Sequence, residues 1–141
     1  MASAIVENGV QKLADLEDLL QPELIQVVSR GLPSALAGEL AKKMEISRED
    51  MAGLLRLNPR TFQRRADEGT LSFPESERLW ELSRLFSRAV DVLESVPGAV
   101  QWFKNPIQAL GCATPLVYAR TAVGLRELEC VLGRIEHGVY S

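Results

Sequence analysis

The fold turns on residues 47–65, Ser47-Arg48-Glu49-Asp50-Met51-Ala52-Gly53-Leu54-Leu55-Arg56-Leu57-Asn58-Pro59-Arg60-Thr61-Phe62-Gln63-Arg64-Arg65. Ser47 followed by Asp50 resembles a capping box, with an acid in place of the usual Glu or Gln, and predicts a short helix through about Leu55. Asn58-Pro59 pairs a capping residue with a first-turn proline and predicts a second helix up to about Asp67. A turn of about three residues joins them, which is the spacing of a helix-turn-helix. Met51, Leu55, Leu57 and Phe62 are spaced to fill the small core between the two helices, and Ala52 is small where the second must cross closely. The position of the turn that usually carries glycine falls on Arg56. The turn is therefore expected either to avoid a left-handed conformation or to depart from the usual geometry.

The second helix would enter a major groove. Arg60, Thr61, Gln63, Arg64 and Arg65 are its candidates for DNA contact, since Gln and Arg can bond base edges in pairs while Arg and Thr can fix phosphates. Asn58 joins them by capping a helix N-terminus that can itself face a phosphate. Thr61 and Phe62 also suit cap and core roles. Charge sharpens the assignment. Residues 1–33 carry a net charge of −3, residues 34–72 of +1 and residues 73–141 of −1. No acid occurs from Met51 to Ala66, where Arg56, Arg60, Arg64 and Arg65 fall. A basic patch thus sits in a chain of net charge −3, a balance that argues against strong non-specific DNA binding by the whole molecule.

Outward from this pair the chain reads as all helical. Strand-like alternation with Asn-Gly or Asp-Gly turns is absent. Pro22 can open a helix that Gly31 closes, and Ser34 can cap one whose Leu36, Ala37, Leu40, Ala41 and Met44 share a face. Ser72 with Glu75 signals the start of a long helix with Leu79, Leu82, Phe86, Ala89 and Leu93 on one side. Beyond Pro97 the elements shorten, with Pro106 and Pro115 each early in a short helix. Gly124 precedes a closing helix in which Leu125, Leu128, Val131, Leu132 and Ile135 face inward, and Gly138 stops it. Trp80, Trp102 and Phe103 have the spacing of core residues. Leu13, Leu16, Leu19 and Leu20 suit either a helix or a mobile arm. The expected organisation is an N-terminal arm or helix over 1–30, a helix-turn-helix domain over 31–72 and a second helical domain over 73–141.

Several functions are disfavoured by composition. At 46% hydrophobic and 25% charged residues the chain suits a folded soluble protein. It has no apolar run near the roughly 18–20 residues of a membrane span. The start Met1-Ala2-Ser3-Ala4-Ile5-Val6-Glu7 lacks a signal peptide's basic end and apolar stretch, so a cytoplasmic location without membrane attachment is expected. Cys112 and Cys130, with His137 as the only histidine, cannot supply a structural zinc site. They are expected to be reduced and structural. There is no Gly-rich phosphate loop, and each serine or cysteine triad would depend on His137. No catalytic residue, metal or cofactor is assigned.

A family resemblance rests on two series of motifs. In the first half they are Arg60-Thr61-Phe62-Gln63-Arg64-Arg65, Gly69-Thr70-Leu71-Ser72 and Glu75-Ser76-Glu77-Arg78-Leu79. In the second half they are Trp102-Phe103-Lys104-Asn105-Pro106, Ala109-Leu110-Gly111, Thr114-Pro115-Leu116, Thr121-Ala122-Val123-Gly124 and Val131-Leu132-Gly133-Arg134-Ile135-Glu136-His137-Gly138. In this order and spacing, residues from about 30 to 141 resemble the Xre/MbcA/ParS-type antitoxins of RES–Xre toxin–antitoxin systems, and are similar to the Pseudomonas-type members. The resemblance departs at Cys112-Ala113, where a second glycine and a basic residue are expected.

The resemblance implies a bacterial antitoxin. Its C-terminal domain would bind and block a RES-domain toxin that depletes NAD⁺, and its helix-turn-helix would repress the module's own promoter at an operator. It also implies a homodimer and a hetero-oligomer with the toxin. Read physically, the chain end offers a plug. Arg134, Glu136, His137, Gly138, Val139, Tyr140 and Ser141 follow or close the last helix. Val139 and Tyr140 carry apolar and aromatic anchor area, and Arg134, Glu136 and a terminal carboxylate can pair with charges in a substrate cleft. His137 otherwise reads as a surface residue. Two other readings stand beside this one. One is a transcriptional regulator with no enzyme partner. The other is a chromosome- or membrane-tethered adaptor with an unrelated partner.

Overall fold

The computed structural model describes residues 9–138. The chain divides into two compact units, residues 1–80 and 81–141. Helices α1 (Leu13–Glu17), α2 (Gln21–Arg30), α3 (Ala35–Met44), α4 (Arg48–Leu54) and α5 (Pro59–Glu68) lie in the first. Helix α6 (Phe73–Leu93) crosses the division. Helices α7 (Val96–Lys104), α8 (Pro115–Tyr118) and α9 (Ala122–Glu136) lie in the second, with a 3₁₀ turn at Gln108–Leu110. Among the described residues the only β pairing is two isolated bridges, Pro33 with Thr70 and Ile107 with Ala113. No helix there is long and apolar enough to cross a membrane.

The first unit is built on α3. Its Leu36, Ala37, Leu40, Ala41 and Met44 are all buried, as their spacing requires, and Met51, Leu55 and Leu79 join them. Ser34 differs from expectation. It is already helical in backbone, and its side chain caps nothing. Its own N–H is taken instead by the carbonyl of Gly69 at 3.1 Å, while Leu71 donates to the carbonyl of Leu32 at 2.9 Å. Two chain segments thus cross-tie, and the helix start is oriented by backbone pairing.

The start of α6 belongs to this unit. Ser72 and Glu75 form a reciprocal capping box, in which the Glu75 carboxylate accepts from the Ser72 N–H at 2.9 Å. Ser76 is fully buried and its Oγ accepts from the Leu32 N–H at 2.8 Å. Arg78 donates to the carbonyl of Leu55 at 3.0 Å. These ties explain why the division falls after Trp80 rather than between residues 72 and 73. Helix α1 is also integrated. Leu13 and Leu16 are buried, and the Leu13 N–H donates to Glu39 at 2.9 Å, so α1 docks on α3. Leu20 stays largely exposed.

In the second unit Leu82, Leu85, Phe86 and Ala89 of α6 are buried with Val100, Phe103, Leu128 and Leu132. Phe103 stacks edge-on against Trp102, at 5.0 Å between ring centroids, and lies 5.9 Å from Phe86. Of the three aromatic residues with core-like spacing, Phe103 is buried, whereas Trp80 and Trp102 are half-buried. Pro106 opens no helix. It follows the end of α7 and leads into the bridge at Ile107. Pro115 does start α8, with Thr114 as its cap. Cys112 and Cys130 are exposed free thiols rather than core fillers.

Gly124 lies inside the first turn of α9, not before it, because Thr121 caps the helix by accepting the Gly124 N–H at 2.9 Å. A Cβ on Gly124 would collide with the backbone carbonyl of Tyr118. The junction of α8 and α9 is therefore closed against backbone, and only glycine fits there.

Candidate nucleic-acid interface and partner surface

Helix α4 opens as its sequence predicts, with Ser47 Oγ accepting from the Asp50 N–H at 3.0 Å. It ends on Arg56, whose φ of 60° is left-handed. The Leu57 N–H bonds the carbonyl of Ala52 at 2.8 Å, and the Arg56 N–H bonds that of Gly53 at 3.1 Å. This pair of bonds is the Schellman closure, normally built on glycine. The turn therefore keeps the usual helix-turn-helix geometry and pays for it in backbone strain at one arginine. Arg56→Gly is expected to stabilise the protein by about 0.5 kcal/mol, since the strain relieved slightly exceeds the chain entropy added. A raised thermal midpoint would check this, and a lowered one would mean that the Arg56 side chain holds the turn.

Asn58 caps α5 as expected, its Oδ1 accepting from the Thr61 N–H at 2.8 Å. That oxygen is spent on the helix, and Thr61 is half-buried. Phe62 is buried under the pair of helices. Arg60, Gln63 and Arg64 are exposed on α5, and Arg60 and Arg64 have no ion-pair partner among the described residues. Arg65 is placed differently from the other candidates. Its Nε and Nη2 grip both oxygens of Glu75 at 2.8 and 3.2 Å, and its Nη1 reaches Glu68 at 3.3 Å. Its guanidinium ties α5 to the start of α6, which fixes the angle at which α5 is presented.

Two opposed effects act on Glu75. Burial alone would raise its pKa, but the hydrogen bonds from Arg65 and Ser72 and the nearby positive charge outweigh it, leaving the carboxyl below its usual value. Arg65 is held above its own, chiefly by the hydrogen bond to Glu75. A lowered carboxyl pKa contributes stability that is complete above the unfolded value near 4.5 and is lost as pH falls through the folded one. Glu75→Gln is expected to cost about 1 kcal/mol at pH 7 and to flatten the loss of stability between about pH 5 and pH 3. Denaturant midpoints at pH 7 and pH 3.5 measure both; an unchanged acid slope would exclude Glu75 as the titrating group.

One residue escaped the sequence reading. Arg48, at the start of α4, lies with its guanidinium carbon 5.0 Å from the Phe62 ring centroid and donates to Gln63 at 3.1 Å. Its place on the first helix of the pair, facing the second, was the available signal.

The second unit presents the end of α9. Arg134 pairs with Glu127 at 3.4 Å, and Glu136 with Arg88 at 3.2 Å. Arg88 also approaches Glu129 at 3.2 Å. These ties anchor the last turn of α9 to α6 and to α9 itself. His137 and Gly138 follow, both exposed, with Gly138 left-handed at φ 74°. Val139, Tyr140 and Ser141 lie outside the described residues. A shallow groove of about 480 Å³ runs beside the α8–α9 junction, lined by Val117, Tyr118, Thr121, Val123 and Glu127. Val117 and Val123 are exposed there, and apolar spacing alone could not separate them from core valines. Among the described residues no cluster of three or more His, Cys, Asp or Glu could hold a metal ion.

A helix-turn-helix with unpaired arginines on its second helix, followed by a separate helical unit, defines a DNA-binding regulator with an additional binding module. Comparison with known proteins identifies both parts. Residues 23–84 match the Antitoxin Xre-like helix-turn-helix domain, and residues 88–138 match the Antitoxin Xre/MbcA/ParS C-terminal toxin-binding domain. A protein of Photorhabdus laumondii named Antitoxin Xre is 30% identical over 122 residues, covering 85% of this chain and 82% of that protein. One of the same name in Yersinia enterocolitica is 36% identical over 80 residues, covering 56% of this chain and 54% of that protein. The chain belongs to the Xre antitoxin family: it is an antitoxin with a helix-turn-helix and a toxin-binding domain.

Proposed function

We propose that this antitoxin inhibits a RES-domain toxin that depletes NAD⁺, that it does so by laying the end of its second unit over the toxin's active site, and that it represses its own operon. The observation that carries the reading is the anchored end of α9 within the toxin-binding match. Arg88 and Glu127 hold Glu136 and Arg134, and the chain leaves the unit exposed at His137 and Gly138. Both pairs are partly solvated, so each is worth no more than about 1 kcal/mol. Arg134 and Glu136 can therefore exchange these partners for charges around a toxin cleft, while His137 and Gly138, with Val139, Tyr140 and Ser141, cover it. The groove at Val117 and Val123 offers apolar contact area toward the other end of α9.

On the DNA side, Arg60, Gln63 and Arg64 face the major groove, and the N-terminus of α5 with its Asn58 cap and Thr61 meets a phosphate. Arg65 acts as the strut that sets the helix. A homodimer places two such helices on a two-fold operator, and the toxin joins it as a hetero-oligomer in the cytoplasm.

The deciding experiment is cellular NAD⁺ in bacteria that co-express a cognate RES-domain protein with the full chain or with a chain ending at Arg134. NAD⁺ preserved by the first and lost with the second is the expected result. NAD⁺ lost in both, with both proteins soluble, would remove the RES-toxin reading and leave a regulator without that enzyme partner.

A further inference from the structure

The side chain of Gln63 is held at both ends of its amide. Its Oε1 accepts from Nη2 of Arg48 at 3.1 Å, and its Nε2 donates to Oδ1 of Asp67 at 3.0 Å. These partners dictate which way the amide faces. A guanidinium only donates and a carboxylate only accepts, so turning the amide over would set donor against donor and acceptor against acceptor. Arg48 is itself steadied, because its guanidinium lies over the ring of Phe62, which is buried between the two helices. Asp67 stands one turn beyond Gln63 on α5. The clamp therefore spans both helices of the motif, although all three of its members are exposed residues.

A primary amide has two N–H donors and two lone pairs on its oxygen. The clamp commits one of each. What remains is one N–H and one acceptor site. In the major groove adenine offers an N6–H donor next to the N7 acceptor, whereas guanine offers two acceptors, N7 and O6. A mobile glutamine can turn both N–H groups toward guanine. A clamped one has only one left to give, and its oxygen would then face O6. The fixed donor–acceptor pair matches adenine.

We propose that Gln63 sets the base preference of this helix-turn-helix by reading adenine at one position of each operator half-site, and that Arg48 and Asp67 are positioning residues that fix its amide for the task. The proposal rests on the reading of α5 as the helix that contacts DNA. It separates two roles on that helix: Arg60 and Arg64 supply affinity, and Gln63 supplies discrimination.

The test is selection of bound duplexes from a randomised pool by the full-length protein, followed by anisotropy titration of the selected duplex and its single-position variants. Wild type is expected to select adenine at one half-site position and to lose about tenfold in affinity when guanine replaces it. Gln63→Ala should erase the preference there and leave the other positions intact. Arg48→Met, which keeps an apolar stem over Phe62 but donates nothing, and Asp67→Ala should each relax the same position several-fold. A merely structural role would weaken all duplexes alike, and the thermal midpoint identifies any variant that fails to fold. If Gln63→Ala still selects adenine at that position while binding DNA, the inference is wrong and α5 remains the DNA helix. If the wild-type protein binds no duplex in the pool, the DNA-contact reading fails, and this inference with it.

Discussion

Gly124→Ala is expected to destabilise the second unit strongly. The added Cβ would strike the carbonyl of Tyr118, which is backbone and cannot turn aside as a side-chain tip could. Relief requires α9 to move away from the α8 junction, and that movement would disturb Leu125, Leu128 and Leu132, which fill the core of the unit. Overpacking of this kind typically costs about 1–3 kcal/mol, and a rigid obstacle belongs at the upper end. A sum near 3 kcal/mol is a large part of the stability of a unit this size. Two measurements check it. The thermal midpoint should fall by ten degrees or more, on the order of 4–8 °C per kcal/mol for a small domain. Toxin neutralisation should be lost in cells. A variant that melts at the wild-type temperature would show that the α8–α9 junction yields without cost.

The second large effect concerns the exposed face of α5. Replacing Arg60 and Arg64 together by alanine should weaken operator binding by about a hundredfold, and should lower the salt dependence of binding by about one unit of slope for each phosphate contact removed. Neither side chain has an ion-pair partner among the described residues, so folding should be unaffected. Toxin neutralisation should persist, because the toxin-binding match begins at residue 88. Titration of promoter DNA at two salt concentrations separates the outcomes. Unchanged binding would mean that another face of the first unit meets DNA. Arg65→Ala offers a contrast, since it should lower stability through the lost grip on Glu75 as well as affecting DNA.

How much of this could be read beforehand depended on the range of the interactions. Ser47, Asn58 and the Ser72–Glu75 box cap neighbours three residues away, and such contacts are written locally. The apolar faces of α3 and α6 follow the helical period and were equally open to reading. Arg65 was not. Its partner Glu75 lies ten positions on, past a turn, and a chain of basic residues gives no hint of which one will be used internally. Ser34 failed as a cap because backbone pairing to Gly69 had already set the chain direction, a long-range tie that outweighs a local preference. The turn at Arg56 shows the same override, since the packing of two helices holds an arginine in a conformation it disfavours on its own. Gly124 was visible only as a residue near a helix start. Its clash with Tyr118 exists only once α8 and α9 have folded back on each other.

The first unit takes its last core residues from the beginning of α6, whose remaining turns belong to the second. This has a consequence for the newborn protein. On the ribosome the helix-turn-helix unit stays open until Glu75, Ser76 and Leu79 leave the exit tunnel, and can then close. The tunnel holds the residues that follow, so part of 81–141 is already synthesised by then but not yet folded, and at about 5–20 residues per second the rest follows within seconds. For that interval the nascent chain holds a closed helix-turn-helix unit and no closed toxin-binding unit.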